Sequence, residues 1–146
     1  RQIHIFIFGH EPAFETGHRD NLSFYTERRN LFWDSIGNSG GRIYFCGHDH
    51  FYNRSLIKDS RGNPLRQIIA GTGGGRLRKW SGGYKENGRV KCEYHNSDYH
   101  GYILVTINGT DVTVQWKALV NPPANQWQVL DTFTYSALTE CLSAYN

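Results

Sequence analysis

The sequence predicts a mixed α/β (α+β) fold: a strand–helix–strand unit with parallel strands, followed by a strand-rich region built on an antiparallel hairpin. Three observations carry that prediction. Residues 3–8, IHIFIF, are apolar at almost every position, as in a strand covered on both faces. A helical pattern and a second short apolar run follow with short links, the arrangement of a βαβ unit. Further on, Asn108-Gly109 separates two alternating segments, the strongest short-range hairpin signal.

Each element has a local reason. The first strand stops at Gly9-His10-Glu11-Pro12. Asp20 or Ser23 is placed to cap a helix that runs to about Ile36, with Phe24, Leu31, Phe32 and Ile36 on one face. Gly37, Asn38 and Gly40 end it, and Arg42 to Cys46 forms the second strand. Leu65 to Ala70 is a third strand, running into Gly71-Thr72-Gly73-Gly74-Gly75. The polar, glycine-rich stretch from Arg76 to about Ser97 reads as a long loop. Tyr102 to Ile107 and Asp111 to Lys117 are the hairpin arms, and Trp127 to Tyr135 is one further strand. The expected division is a main unit over residues 1–120 and an extension over 121–146.

At 146 residues and 38% hydrophobic content the chain has the size and composition of one folded domain. No apolar run approaches the roughly 20 residues of a membrane helix. The net charge of +3 is small and dispersed, which gives no argument for nucleic acid as a partner. Cys46, Cys92 and Cys141 are odd in number and lack CxxC spacing, so they do not resemble a zinc framework; a Cys92–Cys141 pair stays open. The chain has no methionine, and its first strand opens two residues after Arg1, so it is expected to continue beyond these residues. Asn21, Asn53 and Asn108 open N-glycosylation sequons, which leans the expected location towards the extracellular side.

The chemistry gathers around His48-Asp49-His50. Residues i and i+2 of an extended segment face one side, and neutral imidazole is a common ligand for transition metals. Alone, such a pair reads equally as two polar loop histidines. His10 changes the balance. In a right-handed βαβ unit both strands end on one edge of the sheet, where sites in open α/β sheets form. His10 follows the first strand, and His48 and His50 follow the second. Asp49 between them reads as a group that bonds loop backbone or orients a histidine. Tyr52 and Arg54 stand as candidates for the substrate mouth or for packing, and Gly73 and Gly74 as shapers of the pocket.

"GHEP", a helix and then "GHDHFYNR" together resemble the second half of the calcineurin-like metallophosphoesterases. The HxHxYxR form, His48-His50-Tyr52-Arg54, is nearest to their purple acid phosphatase side. The resemblance implies a metal-dependent phosphoric ester hydrolase whose C-terminal half is this chain: half of a layered β-sandwich flanked by helices. It implies two metal ions (Fe, Mn or Zn), with His10 and His48 on one and His50 on the other, and a metal-bridged hydroxide that attacks phosphorus. The remaining ligands, a bridging Asp and an Asn among them, and the proton-donating His belong to the family's first half. None of those motifs is found here. The expected partners are a phosphoester substrate and the missing half or a companion chain. The alternatives are a binding or structural module that kept the fold without the chemistry, and a single ion held by His10, His48 and His50.

Overall fold

The computed structural model describes residues 4–86, 88–122 and 124–137. The described residues form eight strands and one α-helix in the order β1 (Phe6–Phe8), α1 (Thr26–Asn38), β2 (Ile43–Cys46), β3 (Tyr52–Lys58), β4 (Pro64–Ala70), β5 (Val90–Asn96), β6 (Gly101–Asn108), β7 (Asp111–Asn121) and β8 (Gln126–Ser136). They form a five-stranded sheet, β1-β2-β4-β3-β5, and a three-stranded sheet, β6-β7-β8. The fold is the expected mixed α/β one.

The strand–helix–strand unit is present: β1 and β2 pair in parallel, and β2 and β4 do the same. All four residues of β2 are buried, as a strand covered on both faces requires. The first sheet also contains two strands that the sequence pattern hid. β3 lies antiparallel between β4 and β5, and β5 occupies part of the stretch expected as a loop. At β3 the buried face is Asn53 and Ser55 with Arg54 beside them. Their polarity reads as loop, yet the side chains are satisfied: Asn53 Oδ1 accepts from Ser55 and Tyr84, and Asn53 Nδ2 donates to Cys92 Sγ.

The face expected to be buried is only partly so: Ile36 is in the core and Phe32 packs against it, but Phe24 and Leu31 do not. Arg29, Trp33 and Ile36 are buried, whereas Phe24 and Leu31 are 77% and 71% exposed. Arg29 is fixed by Glu86 at 2.6 Å and lies 4.0 Å above the Phe14 ring, which makes a charged residue part of the packed stripe. A 3-10 turn, Leu22–Tyr25, precedes the helix and is capped by Asn21, whose side chain accepts from Ser23 N–H at 2.8 Å. Neither Asp20 nor Ser23 caps it.

Two cores result. One packs Phe14, Trp33 and Ile36 against Tyr44, Ile57, Leu65 and Ile69; the other packs Ile43, Phe45 and Ile68 against Val112, Val114 and Trp116 of the second sheet. The sheets are pinned by a buried ion pair. Arg54 Nε and Nη2 donate to Asp131 of β8 at 2.8 and 2.9 Å, the Tyr52 hydroxyl donates to the same carboxylate at 2.8 Å, and Arg54 also meets Glu93. Trp127 to Tyr135, expected as one extra strand, lie within β8, which pairs along β7. Cys141, the candidate partner of Cys92, lies outside the described residues. Among the described residues no helix is long and apolar enough to cross a membrane.

Candidate functional site

The site starts where β1 and β2 end. Their register aligns Phe8 with Phe45. The pairing runs on into the loops: Gly9 N–H donates to the Phe45 carbonyl at 3.0 Å, and Gly47 N–H donates to the His10 carbonyl at 2.9 Å. His10 and His48 are thereby fixed side by side at the carboxyl edge of the sheet. His48 Nδ1 and His10 Nε2 stand 3.2 Å apart, and the rings meet edge-on with centroids at 5.1 Å.

The segment around His48 is not extended. Asp49 N–H bonds back to the Gly47 carbonyl at 2.7 Å, with His48 between them at φ 65°. That is a γ-turn in the left-handed region, where a non-glycine residue costs about 1–3 kcal/mol and where functional sites often store strain. Phe51 N–H reaches the Asp49 carbonyl at 2.9 Å and closes a similar turn around His50. The two histidines consequently take different partners, which corrects the same-side reading of an extended pair. His50 Nδ1 lies 3.0 Å from the Arg76 carbonyl, so it donates there and leaves Nε2 as the lone-pair nitrogen.

Asp49 organises the loop opposite. It is 1% exposed and accepts from the Thr16 hydroxyl, from Gly17 N–H at 3.1 Å, from His18 N–H at 3.0 Å and from His18 Nδ1 at 2.6 Å. The His18 ring is thereby laid 4.7 Å from the His48 ring. Asp20 follows, with Oδ1 3.2 Å from His48 Nε2. That is an ion-pair distance without hydrogen-bond geometry, and Nε2 is buried with no hydrogen-bond partner. The His48 imidazole is the main reason the Asp20 carboxyl sits below the usual carboxylate range. His18 sits in a polar loop without a motif, and Asp20, expected as a helix cap, faces His48 instead; the acid between the two histidines of the HxH motif is the only sequence signal for this loop.

The glycine-rich strand end wraps this turn, though through other glycines than Gly73 and Gly74. Those two are exposed and a Cβ at either would meet open space. A Cβ at Gly71 would run into the Asp49 carbonyl, and one at Gly75 would come within 2.9 Å of His50 Cε1. His100 reaches the same loop, its Nε2 3.0 Å from the Gly75 carbonyl. Tyr52 and Arg54 are 1% and 9% exposed and committed to the inter-sheet ion pair. Among the sequons, Asn21 and Asn53 are 5% and 0% exposed with their amides bonded, whereas Asn108 is exposed beside the hairpin turn.

The donor set fits a metal in part. Two nitrogens bound to one ion at about 2.0–2.1 Å in tetrahedral or octahedral geometry stand about 3.0–3.4 Å apart, which the His10–His48 pair matches. With Nδ1 as the lone-pair nitrogen, His48 Nε2 carries the proton and faces Asp20 at 3.2 Å. Beyond that the fit fails: among the described residues no group of three His, Cys, Asp or Glu side chains is placed to hold one ion. Neither a dinuclear centre nor a three-histidine site is complete within the described residues.

No protein-family model matches the chain, and no curated protein matches it in sequence. Solved structures match it in fold. One is GAP50, the anchor in the inner membrane complex of Plasmodium, with a TM-score of 0.65 and 16% identity over 99% of this chain and 43% of that one. Another is the purple acid phosphatase PPD1 isolated from yellow lupin (Lupinus luteus) seeds, with a TM-score of 0.65 and 15% identity over 92% of this chain and 25% of that one. This chain therefore spans less than half the length of either. What the likeness establishes is architecture: the chain has the fold of part of a purple acid phosphatase-like protein.

Proposed function

We propose that this chain is the histidine-bearing part of a metal-dependent phosphoric ester hydrolase, with the completing ligands supplied from outside residues 1–146. The observation that carries the reading is the His10–His48 pair, held 3.2 Å apart at the carboxyl edge of two parallel strands by a strained turn. A fold has little reason to keep a histidine at φ 65° unless its ring is needed there. In this reading His10 and His48 contribute to one ion and His50 to another through Nε2. Iron, manganese and zinc all suit such donors. The ions of such a centre supply Lewis acidity towards a phosphoester. This chain's own part is to fix the ring orientations through the strand ends and the Arg76 carbonyl. Its substrate would be a phosphoester, its partner the polypeptide that provides the acidic ligands. An extracellular location agrees with the sequon at exposed Asn108.

A second reading has its own observation. Asp20 already faces His48 Nε2, and no third donor joins the pair among the described residues. A module that keeps the fold for binding or anchoring accounts for that arrangement. One experiment separates the two. The whole protein, isolated with any polypeptide that accompanies this chain and loaded with metal, is assayed on simple phosphomonoesters. Hydrolysis that a chelator abolishes and His48→Ala removes supports the hydrolase. Inertness towards every simple phosphoester after metal loading leaves the binding module.

A further inference from the structure

Arg78 is the cation that the fold directs at the histidine edge. Its backbone N–H donates to the His50 carbonyl at 3.0 Å, which ties the residue to the HxH turn. Its Nη1 lies 3.2 Å from His18 Nε2. The tautomer that satisfies both contacts of His18 carries the proton on Nδ1, donated to Asp49 at 2.6 Å, and leaves Nε2 to accept from Arg78. The guanidinium is therefore oriented from two directions, through the main chain and through the Asp49–His18 pair. One of its five N–H donors is used in that orientation, and the residue is exposed.

Five other described cations are held by acidic partners. Arg29 meets Glu86, Arg54 meets Asp131 and Glu93, Arg66 meets Glu93, Lys79 meets Asp98 and Lys85 meets Glu15. No described carboxylate lies within ion-pair distance of Arg78. It touches His18, whose ring lies 4.7 Å from the His48 ring; Asp49 and Asp20 are the carboxylates of that edge, the first bonded to His18 and the second facing His48. A pre-oriented guanidinium with no carboxylate of its own and four N–H donors left over can receive an oxyanion. Its planar fork matches two oxygens of a phosphoryl group, and little ordering entropy is lost when they bind. We propose that Arg78 binds the phosphoryl oxygens of the substrate, with His18 and Asp49 as the elements that position it. The proposal rests on reading this edge as a phosphoester site.

The test uses inorganic phosphate titrated into the whole protein, isolated with any polypeptide that accompanies this chain and with a chelator present, binding being read from the arginine Nε–H and histidine ring NMR signals. The expected result is a saturable shift at Arg78 and His18. Arg78→Ala weakens it about tenfold or more, the scale of one charge-assisted contact. Arg78→Lys, which keeps the charge but not the fork, falls between them, and Arg61→Ala in the exposed β3–β4 turn leaves binding unchanged. Equal affinity in Arg78→Ala and the parent chain overturns the proposal, as does an equal loss in Arg61→Ala. Because no metal is present, this outcome is independent of whether His10 and His48 bind an ion. Intact metal binding with no effect of Arg78→Ala would remove Arg78 alone.

Discussion

Replacing Asp131 with alanine tests the contact that joins the two sheets. The carboxylate is 6% exposed at the side chain and accepts three hydrogen bonds, two from Arg54 at 2.8 and 2.9 Å and one from the Tyr52 hydroxyl at 2.8 Å. Removing it leaves Arg54, 11% exposed at the side chain, with Glu93 as its remaining acid. Breaking a buried pair by deleting one member costs about 3–5 kcal/mol, and the surviving Glu93 contact places this case near the lower bound, about 3 kcal/mol. For a chain of this size that corresponds to a fall in Tm of roughly 6–12 °C. Urea unfolding followed by tryptophan fluorescence is a suitable assay, because Trp116 stacks on Tyr52 at 4.5 Å and reports the same interface. The double variant Arg54→Met with Asp131→Leu should regain most of the loss, since a pair of apolar groups leaves no stranded charge. A cost below about 1 kcal/mol for Asp131→Ala, or a double variant no better than the single one, would refute the assignment of this pair as the inter-sheet clamp.

Other changes probe the remaining supports. Gly71→Ala drives a methyl into the Asp49 carbonyl, which is backbone and yields poorly; a loss of about 1–3 kcal/mol is expected in thermal melts, with displaced histidine ring signals. Trp33→Ala removes a fully buried ring from the first core and should cost about 3–5 kcal/mol in urea titrations. Asp49→Asn replaces one of the two accepting oxygens by an amide donor, set against the N–H of either Gly17 or His18, so hydrogen exchange should accelerate at one of those amides more than in the sheets. Burial, with the Asp131 charge beside it, raises the Tyr52 phenol, and burial raises those of Tyr44 and Tyr84. Their folded-state values exceed the unfolded value near 10, so this stability is whole below about pH 10 and is lost as pH rises above it. An alkaline unfolding transition starting near there is the expected readout.

The parts of the fold that were legible are those whose reasons are local. β1 and β2 announce themselves as apolar runs closed by glycine, and Gly109, at φ 60° in the two-residue Gly109-Thr110 loop, sets the β6–β7 turn. β3 could not be read that way. Asn53, Arg54 and Ser55 are buried because Tyr84, Cys92, Glu93 and Asp131 reach them from far along the chain, and no window around β3 contains those partners. The same holds for Arg29, buried by Glu86 and Phe14, which rotates the buried face of α1 away from Phe24 and Leu31. In the site, His10 and His48 followed from strand topology, whereas His18 enters through Asp49, and the left-handed turn at His48 is set by tertiary closure.

Metal content of the whole protein tests the central claim most directly. The protein, isolated with any polypeptide that accompanies this chain, is loaded with iron, manganese or zinc, dialysed and analysed by mass spectrometry of the element, alongside His10→Ala and His48→Ala. Bound metal in the parent protein that either substitution strips is the result this account predicts. A parent protein that holds no metal after loading, or a His48→Ala variant that keeps its full complement, would contradict it.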